Sequence, residues 1–91
     1  MYATFEGFEI EMTKKSAISM SHSGDCKADV AYYLKTNKSI QKQLAAIGNE
    51  KIAEVLRGYG AWDETQLADA EANKRRIVWI AANDIREDNR L

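Results

Sequence analysis

The stretch WDETQLADAEANKRRIVWIAANDIRE, residues 62 to 87, constrains the fold more than any other part of the chain. Asp63 and Gln66 have the spacing of a capping box, in which each side chain bonds the other residue's backbone N–H. Trp62 and Leu67 flank them at the spacing of a hydrophobic staple. The pattern predicts one helix over 63–87, more than 20 residues and about 35 Å long at 1.5 Å per residue. One apolar stripe is Leu67, Ala70, Ile77, Ala81 and Ile85; a second is Ala68, Ala72, Trp79 and Ala82. Near residues 77 to 82 the two wrap more than half of the helix. A helix that is apolar all round is buried all round. Such a helix either crosses the centre of the core or is covered by a second chain.

The sequence has 91 residues, enough for one domain, 1–91, with a single small core. The elements before the long helix must cover its apolar faces. Met1, Ala3 and Phe5, then Phe8, Ile10 and Met12, alternate with polar residues around Glu6-Gly7. This predicts a β-hairpin over 1–12 with Phe5 opposite Phe8, Ala3 opposite Ile10, and one apolar face. Residues 13–59 read as short helices. Thr13 caps the first, running to about His22, with a strand over Ala17–Ser21 as the alternative. Ser23-Gly24 breaks the chain and Asp25 caps a helix carrying Cys26, Val30, Tyr33 and Leu34 on one side. Ile40, Leu44 and Ile47 mark the next helix, stopped by Gly48. Asn49 caps another, with Ile52, Val55, Leu56 and Tyr59 inward. The expected fold class is α+β, mostly α: a hairpin packed on four to five helices, the last one long.

Charge excludes some functions. The net charge is −1, from 13 basic and 14 acidic residues. Nucleic-acid binding domains carry a basic excess, and a mimic of DNA needs a strong acidic one. Direct nucleic-acid binding is therefore not expected. Residues 38–59 have the outline of a helix-turn-helix, but Glu50 and Glu54 oppose phosphate approach, and packed antiparallel helices are the plainer reading. The N-terminal segment MYATFEGFEIEM has no signal-peptide pattern, and the longest apolar run, Ile77–Ala82, is far short of the ~20 residues of a membrane span. The expectation is a cytoplasmic protein with no membrane contact.

The only histidine and only cysteine, His22 and Cys26, lie four residues apart beside Asp25 and Asp29. Zinc needs four ligands, and no second pair exists. A cysteine nucleophile needs a base and a third group to orient it. The plainer reading is a helix junction, with Cys26 as a small core residue and His22 at a helix end or a partner contact. No phosphate-binding glycine loop, paired-carboxylate motif or nucleophile elbow is present. No enzyme activity, cofactor or metal is expected. Lys74, Arg75 and Arg76 form a basic cluster among acids, with Arg75 placed to meet Glu71. Trp62 reads as the staple and Trp79 as core; if Trp79 faces outward, the apolar band suits a homodimer seam.

Two stretches, FEIEMTKKSAISMSHSGDCKADV and GYGAWDETQLADAEANKRRIVWIAANDIRED, together resemble small, mostly uncharacterised proteins of phages and prophages. The resemblance rests on Ser21, His22, Gly24, Cys26 and Asp29, then Gly60, Ala61, Trp62, Asp63, Trp79 and Ile80. It implies origin, and brings no catalytic role. Compact phage proteins include anti-CRISPR inhibitors, which dock onto an effector complex. The resemblance thus implies a non-catalytic interaction module in the bacterial cytoplasm, inhibiting a host defence system by docking on an effector protein, with a CRISPR effector as candidate partner. The candidate contacts are Lys14, Lys15, His22, Asp63, Asp69, Arg75 and Arg76, with Trp62 and Trp79 as anchors. The alternative is a small DNA-associated phage regulator using the helix pair 38–59.

Overall fold

A computed structural model describes residues 1–21 and 26–91, without the side chains of Cys26 and Lys27. The readings at His22, Ser23, Gly24 and Asp25, and of the Cys26 side chain, lie outside the described residues.

Strands β1 (Tyr2–Phe5) and β2 (Phe8–Glu11) pair antiparallel, with Phe5 opposite Phe8 and Ala3 opposite Ile10. Gly7 makes the two-residue turn possible with φ of 94°, a region closed to most side chains. Ala3, Phe5, Ile10 and Met12 are buried, while Phe5 stacks on half-buried Phe8 at 5.1 Å. Met1 departs from the expected face and stays exposed.

Helix α1 (Lys14–Met20) follows, so the strand alternative over Ala17–Ser21 is not adopted. Its cap is Thr13, whose Oγ1 accepts the Ser16 N–H at 3.1 Å. Helix α2 (Cys26–Thr36) buries Val30, with Tyr33 and Leu34 packed at the core's edge. Asn37 caps α3 (Lys38–Ile47), which buries Ile40 and Leu44. Gly48 both ends α3 and caps α4 (Asn49–Tyr59). Asn49 is therefore inside the helix and not its cap. Ile52 and Leu56 are buried, but Tyr59, expected inward, is 52% exposed. Gly60 ends α4 in the left-handed region, φ 73°.

The capping box forms as expected: the Gln66 N–H donates to Asp63 Oδ1 at 2.8 Å and the Asp63 N–H donates to Gln66 Oε1 at 2.9 Å. The helix it starts is short. The stretch expected as one helix over 63–87 is two, α5 (Glu64–Leu67) and α6 (Ala70–Asn89). Asp69 is a second N-cap, accepting the Ala72 N–H at 3.1 Å. A carboxylate that captures a nearby backbone N–H competes with the helical bond there. Buried Asn73 completes the break by donating Nδ2–H to the Leu67 carbonyl at 2.7 Å. The split brings the described helices to six, around the expected mostly helical α+β fold.

The last helix runs through the core but is not buried all round, because Trp79 and its neighbours are left exposed. Helix α6 crosses the centre and packs against α1, α2, α4, α5 and β1. Ile77, Val78, Ala81, Ala82 and Ile85 are fully buried. No helix among the described residues is long and apolar enough to cross a membrane.

The break makes a testable distinction. In one continuous helix Asp69 would be an exposed interior residue, and Ala there would be neutral or stabilising. As an N-cap, Asp69→Ala is expected to cost about 1 kcal/mol, read as a lowered urea midpoint.

Candidate interaction surface

Among the described residues, the outward face of α6 gathers several of those singled out from the sequence. Successive helix residues turn by about 100°, so a helix that buries 77, 78, 81, 82 and 85 turns 76, 79, 83 and 87 away from the core, with 75 and 86 on the flank beside 79. Trp79 lies in the middle of that face and is 39% exposed. The expectation that it is a core residue is therefore corrected. Arg75, Arg76, Asn83 and Arg86 surround it half-buried, and Arg90 is exposed. The Asn83 Nδ2–H donates to the Trp79 carbonyl at 2.8 Å. Arg86 reaches the Ser21 carbonyl at 3.5 Å, tying this face to the end of α1. Exposed Glu87 lies on the same face, one turn beyond Asn83.

A second cluster adjoins it. The connector after Gly60 places half-buried Trp62 beneath Arg76, whose guanidinium carbon is 5.3 Å from the ring centroid. Arg76 also donates to the Gln66 carbonyl at 3.1 Å and to Asn73 Oδ1 at 2.8 Å. It is thus held in one orientation by the α5–α6 junction. Tyr59 meets Trp62 edge to face at 6.5 Å. Trp62 packs on the core cluster that contains Leu67, consistent with its staple role.

Asp84 lies on the Tyr59 side of α6. Burial, then the Asp88 and Glu87 carboxylates, raise its carboxyl above the usual Asp value. Burial, then the charge of Asp84, raises the Tyr59 phenol. A raised carboxyl lowers stability once it ionises: stability falls as pH rises from the unfolded Asp value toward the folded one, and stays lower above it. Asp84→Asn is therefore expected to stabilise the protein at neutral pH, with a gain that vanishes below the ordinary carboxylate range. Thermal melts at both ends of that range check it.

The other sequence candidates separate. Lys14 and Lys15 are exposed in the first turn of α1. Asp63 and Asp69 are exposed but occupied as caps. Glu71 pairs with Lys74 at 3.3 Å, where Arg75 was expected. On α4, Lys51 meets Glu54 at 3.6 Å, and Arg57 grips both carboxylate oxygens of Glu64 at 2.8 Å. That guanidinium holds the Glu64 carboxyl below its usual range. Of the basic groups in the 38–59 pair, Lys51 and Arg57 are engaged with carboxylates, while Lys38 and Lys42 are exposed and in no described ion pair.

Asn73 escaped the sequence reading, and Tyr59 was placed on the inward side. Asn73 belonged to neither apolar stripe, and its buried amide is recognisable only once Leu67 and Arg76 are beside it. Tyr59 carried the right helical spacing for the core, and only its position at the end of α4 turns it outward.

A cleft of about 330 Å³ between α2, α3, α4 and α6 is lined by Leu34, Gln41, Leu44, Gly48, Glu71 and Lys74. Among the described residues, no group of three His, Cys, Asp or Glu side chains is placed to hold a metal ion. No protein family model, curated protein or solved structure matches this chain.

Proposed function

We propose that this chain is a non-catalytic protein-interaction module that docks on a host effector protein through the outward face of α6. The observation that carries this reading is Trp79, left 39% exposed among Arg75, Arg76 and Arg86 on a helix whose opposite face is core. Tryptophan and arginine dominate the energetics of protein interfaces, because a large rigid ring and a planar donor fork gain most when a partner excludes water. The arginines favour a partner that presents carboxylates around an apolar pocket. Arg76, already stacked on Trp62 and hydrogen-bonded, loses little conformational freedom on binding.

The particular partner follows from the resemblance to phage and prophage proteins. In this reading the chain is a phage-encoded inhibitor of a bacterial defence system, of the anti-CRISPR type, working in the bacterial cytoplasm. The test combines binding to purified CRISPR effector complexes with a phage-restriction assay in bacteria expressing the chain. Stoichiometric binding with loss of restriction supports the reading. Unimpaired restriction together with no effector binding sinks it.

A further inference from the structure

We infer that the outer edge of β1 pairs with β1 of a second copy of this chain, joining the two hairpins into one four-stranded sheet. The register decides which backbone groups face outward. The Met12 N–H donates to the Met1 carbonyl at 2.9 Å, and the pairs Ala3–Ile10 and Phe5–Phe8 follow at the two-residue repeat. In an antiparallel ladder the residues between such pairs turn their N–H and C=O away from the neighbouring strand. Those residues are Glu9 and Glu11 on β2, and Tyr2 and Thr4 on β1.

The two edges are treated differently. On β2, the Gln43 side-chain amide occupies both outward groups of Glu11: the Glu11 N–H donates to Gln43 Oε1 at 2.6 Å and Gln43 Nε2–H donates to the Glu11 carbonyl at 2.9 Å. The side chains of Glu9 and Glu11 add charge to that edge. Charge and a covering group are the usual protections against strand addition. On β1, among the described residues, the strand itself has neither protection. The strand Tyr-Ala-Thr-Phe has no side chain charged at neutral pH, and no described hydrogen bond uses the outward groups of Tyr2 or Thr4. Both residues are exposed, Tyr2 at 58%. Beside this strand a cleft of about 370 Å³ runs between Thr4 and Phe5 and the α4 residues Val55 and Tyr59, with Lys51 and Glu54, paired with each other, on its wall.

A second copy fits this edge because the strand is complementary to itself. Antiparallel pairing centred on Ala3 sets Tyr2 against Thr4 of the second copy and Thr4 against its Tyr2. Each pair exchanges both main-chain bonds, and no like charges meet. The contact is closed by a two-fold axis, the commonest symmetry of soluble oligomers. Neither of the other surfaces offers this. A two-fold contact through β2 centred on Ile10 sets Glu9 against Glu11 of the second copy, and one through Trp79 brings Arg75, Arg76 and Arg86 together.

The test is sedimentation of the full chain across a wide concentration range, with Thr4→Pro as the diagnostic variant. Proline there removes an outward N–H and none of the bonds within the hairpin, the position at which strands tolerate it. The wild type is expected to shift from monomer toward dimer mass as concentration rises. Thr4→Pro is expected to stay monomeric with an unchanged circular dichroism spectrum, and Trp79→Ala to dimerise like the wild type. Amide hydrogen exchange on the wild type gives a reading that needs no variant: the Tyr2 and Thr4 amides slow with concentration while that of Glu9 does not. A wild type that is monomeric throughout overturns the inference, as does a dimer in which Tyr2 and Thr4 exchange at the monomer's rate. Neither result touches the proposed docking face, which lies on α6.

Discussion

Ile77→Ala is expected to lower the unfolding free energy by about 2–5 kcal/mol. Ile77 is fully buried on α6, the helix that touches nearly every other element. The substitution removes three carbons from the core, a transfer loss of roughly 2.4 kcal/mol at ~0.8 kcal/mol each. The void left behind adds to this, because the facing helices relax only in part. Against a total stability of about 5–15 kcal/mol for natural domains, the loss is a large fraction of what holds the protein together. Urea unfolding followed by circular dichroism measures it, with Ile77→Val as the graded control at about 0.5–1.5 kcal/mol. The value also separates the two meanings of an apolar band that wraps a helix. A buried central helix gives the full cost in a dilute monomer. A helix covered mainly by a second chain gives a cost that depends on protein concentration.

The hairpin was legible because two independent signals agreed. Side-chain alternation fixed which face is buried, and Gly7 fixed the turn, so the pairing of Ala3 with Ile10 followed without tertiary knowledge. The α3 and α4 cores were legible for a similar reason, since Ile40, Leu44, Ile52 and Leu56 repeat at helical spacing between glycines. The break at Ala68-Asp69 was hidden because helical periodicity runs through it unchanged. It is decided by where the Asp69 carboxylate and the Asn73 amide find backbone partners, and those depend on the angle at which α5 meets α6. Trp79 was hidden by the run Ile77–Ala82, in which every residue is apolar. The elements that pack on α6 cover the side of Ile77, Val78, Ala81 and Ala82 and leave that of Trp79 in water, and sequence periodicity does not tell the two sides apart. The candidate site shows the same division. Trp62, Arg75, Arg76 and Trp79 could be named one by one as interface residues. That Trp62 lies beneath Arg76, and that Asp63 and Asp69 are occupied as caps, depends on the folded connector.

Trp79→Ala is expected to leave the unfolding free energy within about 1 kcal/mol of the wild type, as an exposed position allows. The same change is expected to weaken effector binding by about 2 kcal/mol or more, roughly thirtyfold in Kd. The two readouts together are decisive because each alternative gives a different pair of results. A tryptophan that belonged to the core would cost about 3–5 kcal/mol of stability on truncation. An exposed tryptophan with no partner would change neither quantity. Arg75→Glu extends the argument to charge. Arg75 is half-buried beside Trp79, and Glu71 is paired with Lys74, so reversing its charge breaks no described ion pair within the chain. Its expected effect is slower association with an acidic partner, most visible at low salt and diminished as ionic strength rises. Binding that survives both substitutions would move the interface off α6, since together they remove the exposed ring at the centre of this face and reverse a charge beside it.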